Sequence, residues 1–103
     1  MEIKVTKKNF KREVMESDVP VLIDFYATWC GPCRMLAPII SEVSQEVGRS
    51  AKICKIDIDE EPEIAEEFGV ESIPTLLRVD NGVITNWLTG FVPKEEVLAL
   101  LDR

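Results

Sequence analysis

The stretch from Val21 to Cys33, VLIDFYATWCGPC, most constrains what this chain can fold into. It starts as an apolar segment that ends at Tyr26 and is interrupted only by Asp24. A strand that is apolar on both faces is typical of a parallel strand covered by helices on both sides. Cys30 and Cys33 then follow with two residues between them, and good helix formers come next. The cysteine pair is therefore predicted to lie where a central strand gives way to a helix.

Length and charge exclude several classes of protein. With 103 residues, the chain is expected to form a single domain over residues 1–103. Its 19 acidic residues outnumber its 12 basic ones, giving a net charge of −7, so neither nucleic acid nor an anionic membrane is an expected partner. No apolar run approaches the roughly 18 residues needed to span a membrane. We expect a monomer.

The cysteine count favours redox chemistry over a metal site or a disulfide scaffold. Three cysteines are too few for a secreted disulfide framework. Zinc takes four ligands, whereas this chain has no histidine, and its third cysteine, Cys54, lies in an apolar segment, so no metal is expected. A purely structural Cys30–Cys33 disulfide would close too small a loop to stabilise much. Residues 1–10 lack the apolar core of a signal peptide, so we expect a cytoplasmic protein.

The remaining pattern predicts strands that alternate with helices. The predicted strands are Ile3–Val5, Val21–Ala27, Ala51–Ile58, Thr75–Val79 and Val83–Leu88, and the predicted helices are Lys7–Glu16, Cys33–Val47, Glu63–Phe68 and a last one opening at Pro93. The order βαβαβαββα indicates an α/β fold with one mixed sheet and helices on both faces.

Four local signals make this prediction specific. Thr6 is a plausible N-cap for the first helix. Pro38 falls inside the long helix, where a kink is expected rather than an end. Asn81-Gly82 between two apolar segments predicts a hairpin. The last helix is expected to point three side chains inward, namely Val97, Leu98 and Leu101.

Several of these segments together carry a family resemblance. They are Asp24–Cys33 (DFYATWCGPC), Ala37-Pro38, Lys55-Ile56-Asp57, Ile73-Pro74-Thr75, Asn81-Gly82 and Gly90. A lone Cys-x-x-Cys would be weak evidence, but this combination closely resembles the thioredoxin family over essentially the whole chain. The resemblance implies the thioredoxin fold, a central mixed five-stranded sheet flanked by four α-helices. It also implies protein-disulfide reduction by a reversible Cys30–Cys33 dithiol/disulfide cycle, with no other cofactor.

The same resemblance implies a set of partners. A thioredoxin reductase, dependent on a flavin or on an iron–sulfur cluster, would re-reduce the chain. Oxidised client proteins such as ribonucleotide reductase, peroxiredoxin and methionine sulfoxide reductase would receive its electrons, making it a general cytosolic electron donor in cell redox homeostasis. Two alternatives stay open: a binding module in which redox activity is incidental, and an oxidase or isomerase of the same superfamily.

The two cysteines are expected to have different roles. Cys30 should lie at the N-terminus of the long helix, where unpaired backbone N–H groups and the helix dipole favour the thiolate. That thiolate would attack a client disulfide and form a mixed disulfide. Cys33, one turn further along, would then attack Cys30 and release the reduced client. Between them, Gly31 suits a tight turn and Pro32 suits a first helical turn; by resemblance the two help set a reducing potential.

Asp24 and Lys55 are expected to assist this chemistry. A buried carboxylate is costly when charged, so the pKa of Asp24 should rise. The carboxylate could then accept the proton of Cys33, through a water. Lys55, on the adjacent strand, could be its charge partner. The alternatives are a purely structural Asp24 satisfied by hydrogen bonds and a solvated Lys55.

Resemblance also predicts a client-docking surface and a cis peptide bond before Pro74. The surface would be flat and largely apolar, and it would expose backbone groups beside Pro74 for strand-like pairing with a client. Its expected residues are Trp29, Gly31, Ile73, Pro74, Thr75, Gly90 and Phe91. Cys54 is expected to be a buried bystander, on the strand face opposite Lys55.

Overall fold

The computed structural model describes residues 2–102. Within that range its strands are β1 (Glu2–Lys4), β2 (Val21–Tyr26), β3 (Lys52–Asp57), β4 (Thr75–Asp80) and β5 (Val83–Thr89). Its helices are a π-helical segment (Lys11–Met15), α1 (Gly31–Val47), α2 (Pro62–Glu67) and α3 (Lys94–Leu101). The predicted element order is confirmed, and most boundaries differ from prediction by a single residue. No helix of this range is long and apolar enough to cross a membrane.

The five strands form one mixed sheet in the order β1-β3-β2-β4-β5. β1 and β2 both pair with β3 in parallel, whereas β4 is antiparallel to β2 and β5 is antiparallel to β4. The mixed five-stranded sheet is thus confirmed. Its centre is β2, whose residues from Val21 to Phe25 are all buried. The strand that leads to the cysteines is therefore paired along both edges and buried along almost its whole length.

Two apolar clusters cover the two faces of the sheet. One face packs against the π-helical segment and α2, through Val14, Ile23, Phe25, Cys54, Ile56, Ile64 and their neighbours. The other packs against α1 and α3, through Leu22, Leu36, Ile40, Val43, Ile53, Leu76, Val97 and Leu100. Side chains of a strand alternate between faces, so Asp24 lies on the side of Leu22 and α1. Helices on both faces are confirmed.

Helix α1 begins at Gly31 rather than at Cys33. Cys30 is its N-cap, with extended backbone angles (φ −86°, ψ 115°). Pro32 occupies the first turn, where its fixed φ favours the helix and its missing N–H leaves no donor unpaired. The helix therefore starts earlier than its apolar stripe does, and it continues through Pro38 as predicted.

The first helix is shorter than the predicted Lys7–Glu16, and its regular part is π-helical. Side-chain hydrogen bonds order the turn that precedes it. Asn9 Oδ1 accepts the Thr6 N–H at 2.8 Å, and Thr6 Oγ1 accepts the Lys8 N–H at 3.2 Å. Thr6 caps this turn as predicted: its hydroxyl accepts the Lys8 N–H, and its carbonyl accepts the Phe10 N–H at 2.9 Å.

The inward stripe of α3 differs from prediction. Val97 and Leu100 are the buried residues of this helix, whereas Leu98 and Leu101 are only partly buried at the edge of the same cluster. A short helix can bury residues three positions apart against the sheet. Because Val97–Leu101 is apolar almost throughout, its sequence did not show that Val97 and Leu100 would be that pair.

The β4–β5 hairpin follows its sequence signal. Asn81 and Gly82 both have positive φ, 51° and 80°. A two-residue type I′ turn needs positive φ at both positions, which asparagine and glycine accept most easily. The Asn81-Gly82 hairpin is confirmed.

Cys54 is a buried thiol, as predicted. It is fully buried on β3 in the cluster that contains Ile56 and Ile58, whereas Lys55 belongs to the opposite face. Burial raises the pKa of the Cys54 thiol to about 12. The thiolate is therefore scarce at neutral pH, and the group acts as a small apolar side chain.

Cys54→Ala is expected to leave disulfide reduction unchanged and to lower the free energy of unfolding by about 1 kcal/mol. In the reduced wild type, a thiol reagent should modify Cys30 quickly and Cys54 only after denaturant is added. Mass spectrometry of timed samples checks this order. Fast labelling of native Cys54 would contradict its buried position.

Candidate active site

Cys30 and Cys33 form a disulfide at the junction of β2 and α1. Their Cα atoms are 5.2 Å apart, and both residues are buried. Cys30 Sγ accepts the backbone N–H of Cys33 at 3.2 Å. A helix N-terminus presents such N–H groups to an anion, so reduction would leave a Cys30 sulfur placed for stabilisation as a thiolate. The predicted position of the pair is confirmed.

The Ile73-Pro74 peptide bond is cis, as predicted, and it lies beside the disulfide. The Ile73 carbonyl oxygen is 3.9 Å from Cys30 Sγ. The Pro74 carbonyl in turn accepts the N–H of Gly90 at 2.8 Å. The structure therefore brings the loop before β4 and the loop after β5 to the same end of the sheet as the cysteines.

Exposed aromatic side chains lie in the segments around this end of the sheet. Trp29 is 65% exposed and Phe91 is 45% exposed. The Trp29 indole N–H donates to Asp59 Oδ2 at 2.7 Å, which fixes the ring on the surface. Thr75 differs from the prediction in one respect: its side chain is buried and its hydroxyl donates to the Ser72 carbonyl. Only its backbone is left to meet a client.

Two residues near this surface were not found from the sequence. Asp59 orients Trp29 from the loop after β3, thirty positions along the chain, and no local pattern marks such a contact. Met35 is 62% exposed in the second turn of α1, where the helical spacing does predict an outward side chain. Its position two residues after Cys33 could therefore have identified Met35 as an exposed residue near the site.

Asp24 is buried in the middle of β2, with 3% of its surface exposed. Its Oδ1 atom has no hydrogen-bond donor among the described residues. Burial raises the pKa of Asp24 to about 6, an effect that the Lys55 charge opposes and the Glu2 charge reinforces. The predicted direction is confirmed. A carboxyl group with this pKa can both accept and lose a proton close to neutral pH.

Lys55 is the charge partner of Asp24. The two residues face each other in the parallel register of β2 and β3, and Lys55 Nζ lies 3.8 Å from Asp24 Oδ2. The ammonium group also lies 4.7 Å from the centroid of the Tyr26 ring. The lysine side chain is 22% exposed, so it is largely covered while it lies beside these two groups.

A pocket of about 250 Å³ connects the lysine with the second cysteine. Its lining residues are Tyr26, Ala27, Thr28, Cys33, Arg34, Ala37 and Lys55. The volume is ample for water molecules, and the wall includes polar groups that could hold them. The pocket therefore extends from Cys33 to Lys55, the residue whose ammonium group lies beside Asp24.

Comparison with known proteins decides the family. The sequence model of the Thioredoxin family matches residues 1–103. The chain belongs to the thioredoxin family. Over 99 residues it is 44% identical to Thioredoxin 1 of a Nostoc species, covering 96% of this chain and 92% of that protein. It is 46% identical over the same length to Thioredoxin of Rickettsia felis, covering 96% and 94%.

The activity of the chain follows from its membership of the thioredoxin family. The chain is a protein-disulfide oxidoreductase, and its redox group is its own Cys30–Cys33 disulfide. A reductase that supplies electrons and client proteins that receive them are its partners in general terms. Residues 2–102 contain no cluster of three histidine, cysteine or acidic residues that could hold a metal ion.

Proposed function

We propose that this thioredoxin is a general electron donor in which Cys30 attacks the client and Cys33 resolves the mixed disulfide. The observation that carries this assignment is the position of Cys30. It is the N-cap of α1 and its sulfur lies 3.9 Å from the carbonyl oxygen of the half-buried Ile73, whereas Cys33 lies one turn inside the helix. The attacking thiol must meet the client, and the resolving thiol needs only to reach its partner.

The proposed reaction transfers two electrons in two exchange steps. The Cys30 thiolate attacks one sulfur of the client disulfide, forms a Cys30–client bond and releases the other client sulfur as a thiolate. Cys33 then loses its proton and attacks Cys30 Sγ. The Cys30–Cys33 disulfide forms, and the second client sulfur leaves as a thiolate that takes up a proton.

Asp24 is the proposed acceptor of the Cys33 proton. Its pKa of about 6 leaves it mostly ionised at pH 7, and the pocket beside Lys55 can supply the intervening water. Lys55 balances the charge of the carboxylate before the proton arrives. After the transfer, the neutral Asp24 can release the proton to solvent through the same pocket.

The proposed client surface consists of Trp29, Gly31, Ile73, Pro74, Thr75, Gly90 and Phe91. Its apolar contacts come from the exposed rings of Trp29 and Phe91. Its strand-like pairing would use backbone groups of Ile73 and Thr75, in the manner of an extended peptide that adds to a sheet. Gly31 adds no side chain that would obstruct a docked client, and Pro32 stiffens the turn that holds the dithiol.

Trp29→Ala is expected to raise the KM for a protein client about tenfold and to leave kcat within about twofold, because the ring contributes docking area rather than chemistry. Trp87→Ala is the matched control: that tryptophan is 62% exposed on β5 but has no place in the proposed surface. Steady-state kinetics with a protein disulfide substrate check both variants. A loss confined to kcat would remove Trp29 from the docking surface.

The finer partner assignments are also proposals. We infer a single domain over residues 1–103 and a monomer in the cytoplasm. Its electron source would be a thioredoxin reductase that depends on a flavin or an iron–sulfur cluster. Its clients would include ribonucleotide reductase, peroxiredoxin and methionine sulfoxide reductase. The Gly31-Pro32 dipeptide supports a reducing role over an oxidase or isomerase.

Reduction of insulin with dithiothreitol as electron source tests the proposed function. We expect catalytic turnover that depends on both cysteines. A scaffold with incidental cysteines would reduce insulin no faster than dithiothreitol alone, and that result would overturn the proposal.

A further inference from the structure

The Lys55 ammonium group lies between two carboxylates rather than one. Its Nζ atom is 3.8 Å from Asp24 Oδ2 and 3.9 Å from Glu2 Oε1. Glu2 comes from β1, on the other side of β3 from Asp24. The near equality of the two distances means that the lysine is shared and does not belong to Asp24 alone.

Glu2 is held in this position by two elements. Its backbone pairs with β3 through the parallel register of Glu2 and Ile53. Its other carboxylate oxygen, Oε2, accepts a hydrogen bond from the Ser41 hydroxyl of α1 at 2.7 Å. Its side chain is 30% exposed. A surface carboxylate without such an anchor would spend much of its time away from the lysine.

We propose that Glu2 is a positioning residue for the Asp24 proton acceptor: anchored by Ser41, it shares the Lys55 ammonium and so keeps Lys55 from pairing fully with Asp24. The inference rests on the proposed role of Asp24. Glu2 would act on the reaction only indirectly, through its contact with Lys55, because it contacts neither cysteine.

The shared lysine has a chemical consequence. A buried carboxylate paired fully with an ammonium group is a weak base, because the ion pair favours the charged form. Glu2 counteracts this in two ways: its charge repels that of Asp24, and its contact with Lys55 weakens the opposing pair. Its charge accordingly raises the pKa of Asp24. A proton acceptor works best when its pKa is close to the working pH.

Other residues with titratable side chains surround this site, among them the buried Asp57 at the end of β3, whose charge acts on Tyr26 and Lys4. On β2, Tyr26 faces the same pocket; on β1 and in the loop after β3, Lys4 and Glu60 form their own ion pair at 2.9 Å. On α1, Cys33 and Arg34 line the pocket. The two charges that act on the pKa of Asp24 are those of Lys55, which lowers it, and Glu2, which raises it.

Titration of the Asp24 carboxyl carbon by NMR in the oxidised protein tests the proposal. The disulfide form is chosen because Cys30 and Cys33 do not titrate in it and therefore do not couple to Asp24. In Glu2→Gln the midpoint should fall by about half a pH unit or more. In Ser41→Ala, which frees the Glu2 side chain, it should fall by a smaller amount. Raised salt should shrink both differences, because Glu2 is partly exposed.

Glu60→Gln is the matched control. It removes the carboxylate that pairs with Lys4, which faces Lys55 in the β1–β3 register, and it should leave the Asp24 midpoint unchanged. An unchanged midpoint in Glu2→Gln would overturn the proposal. So would an equal shift in Glu60→Gln, because the effect would then be one of net charge alone.

The pH profile of single-turnover client reduction separates this proposal from the proposed role of Asp24. Glu2→Gln should extend the active range to lower pH by the same interval as the NMR shift, and should do nothing in an Asp24→Asn background. If Asp24→Asn reduces clients as fast as wild type, the role of Asp24 fails. The NMR midpoints still decide whether Glu2 acts on Asp24.

Discussion

Cys33→Ser is expected to accumulate a stable mixed disulfide between Cys30 and a client, whereas Cys30→Ser should lose reductase activity to background. The reason is the division of labour between the N-cap sulfur beside Ile73 and the sulfur one turn inside α1. With serine at position 33, the first exchange can proceed but no thiolate is available to release the client.

Non-reducing electrophoresis and mass spectrometry of the isolated adduct check this expectation. The adduct should map to Cys30 and should disappear when dithiothreitol is added. Cys54→Ala serves as a control for the third thiol and should show normal turnover without a trapped adduct. Release of clients by Cys33→Ser at the wild-type rate would mean that the two-thiol mechanism is wrong for this protein.

Asp24→Asn is expected to slow client reduction about tenfold at pH 7, because Cys33 must then lose its proton without a positioned base. Wild-type activity should decline as the pH falls through about 6, where Asp24 takes up a proton. The variant should lack that part of the decline. Rapid-mixing kinetics followed by tryptophan fluorescence, from pH 5 to 8, measure both profiles. Coinciding profiles would leave Asp24 without a catalytic role.

The same substitution should stabilise the oxidised fold at neutral pH. Asp24 has a pKa of about 6 in the folded protein against 3.8 as the ordinary value. Between these values the folded state binds more protons than the unfolded state, so wild-type stability falls as the pH rises through that window. A gap of about two pKa units corresponds to about 3 kcal/mol above pH 6.

Urea unfolding at pH 4 and pH 8 measures this linkage. Asp24→Asn should be more stable than wild type by up to about 3 kcal/mol at pH 8, and by little at pH 4, where Asp24 is largely protonated in the folded protein. Asn keeps the size of the side chain, so packing is a minor contribution. A constant difference at both pH values would show that the carboxyl charge is not its source.

The sequence predicted those parts of the site that local chemistry determines. The apolar strand around Asp24 had to be central, and alternation along β3 was enough to separate Lys55 from Cys54. The start of α1 was misplaced because an apolar stripe marks the buried face of a helix, whereas Cys30 and Pro32 mark its cap. The first helix was overestimated: side-chain hydrogen bonds of Thr6 and Asn9 order its first turn, and the apolar spacing did not show that the regular part begins only at Lys11.

Contacts between distant segments were beyond the reach of the sequence. Glu2 reaches Lys55 only because β1 adds to the edge of β3 in one particular register. Asp59 reaches Trp29 only because the loops after β2 and β3 end at the same edge of the sheet. Neither contact leaves a periodic pattern in the sequence, so both became visible only in the three-dimensional structure.

A single-turnover thiol count measures directly whether Cys30 and Cys33 carry two electrons to a protein disulfide. Fully reduced protein is mixed with excess insulin, quenched with acid, alkylated and weighed by mass spectrometry. Free thiols per chain should fall from three to one, with Cys54 still free and one insulin disulfide reduced for each Cys30–Cys33 disulfide formed. Three free thiols per chain and intact insulin, or consumption of Cys54, would contradict it.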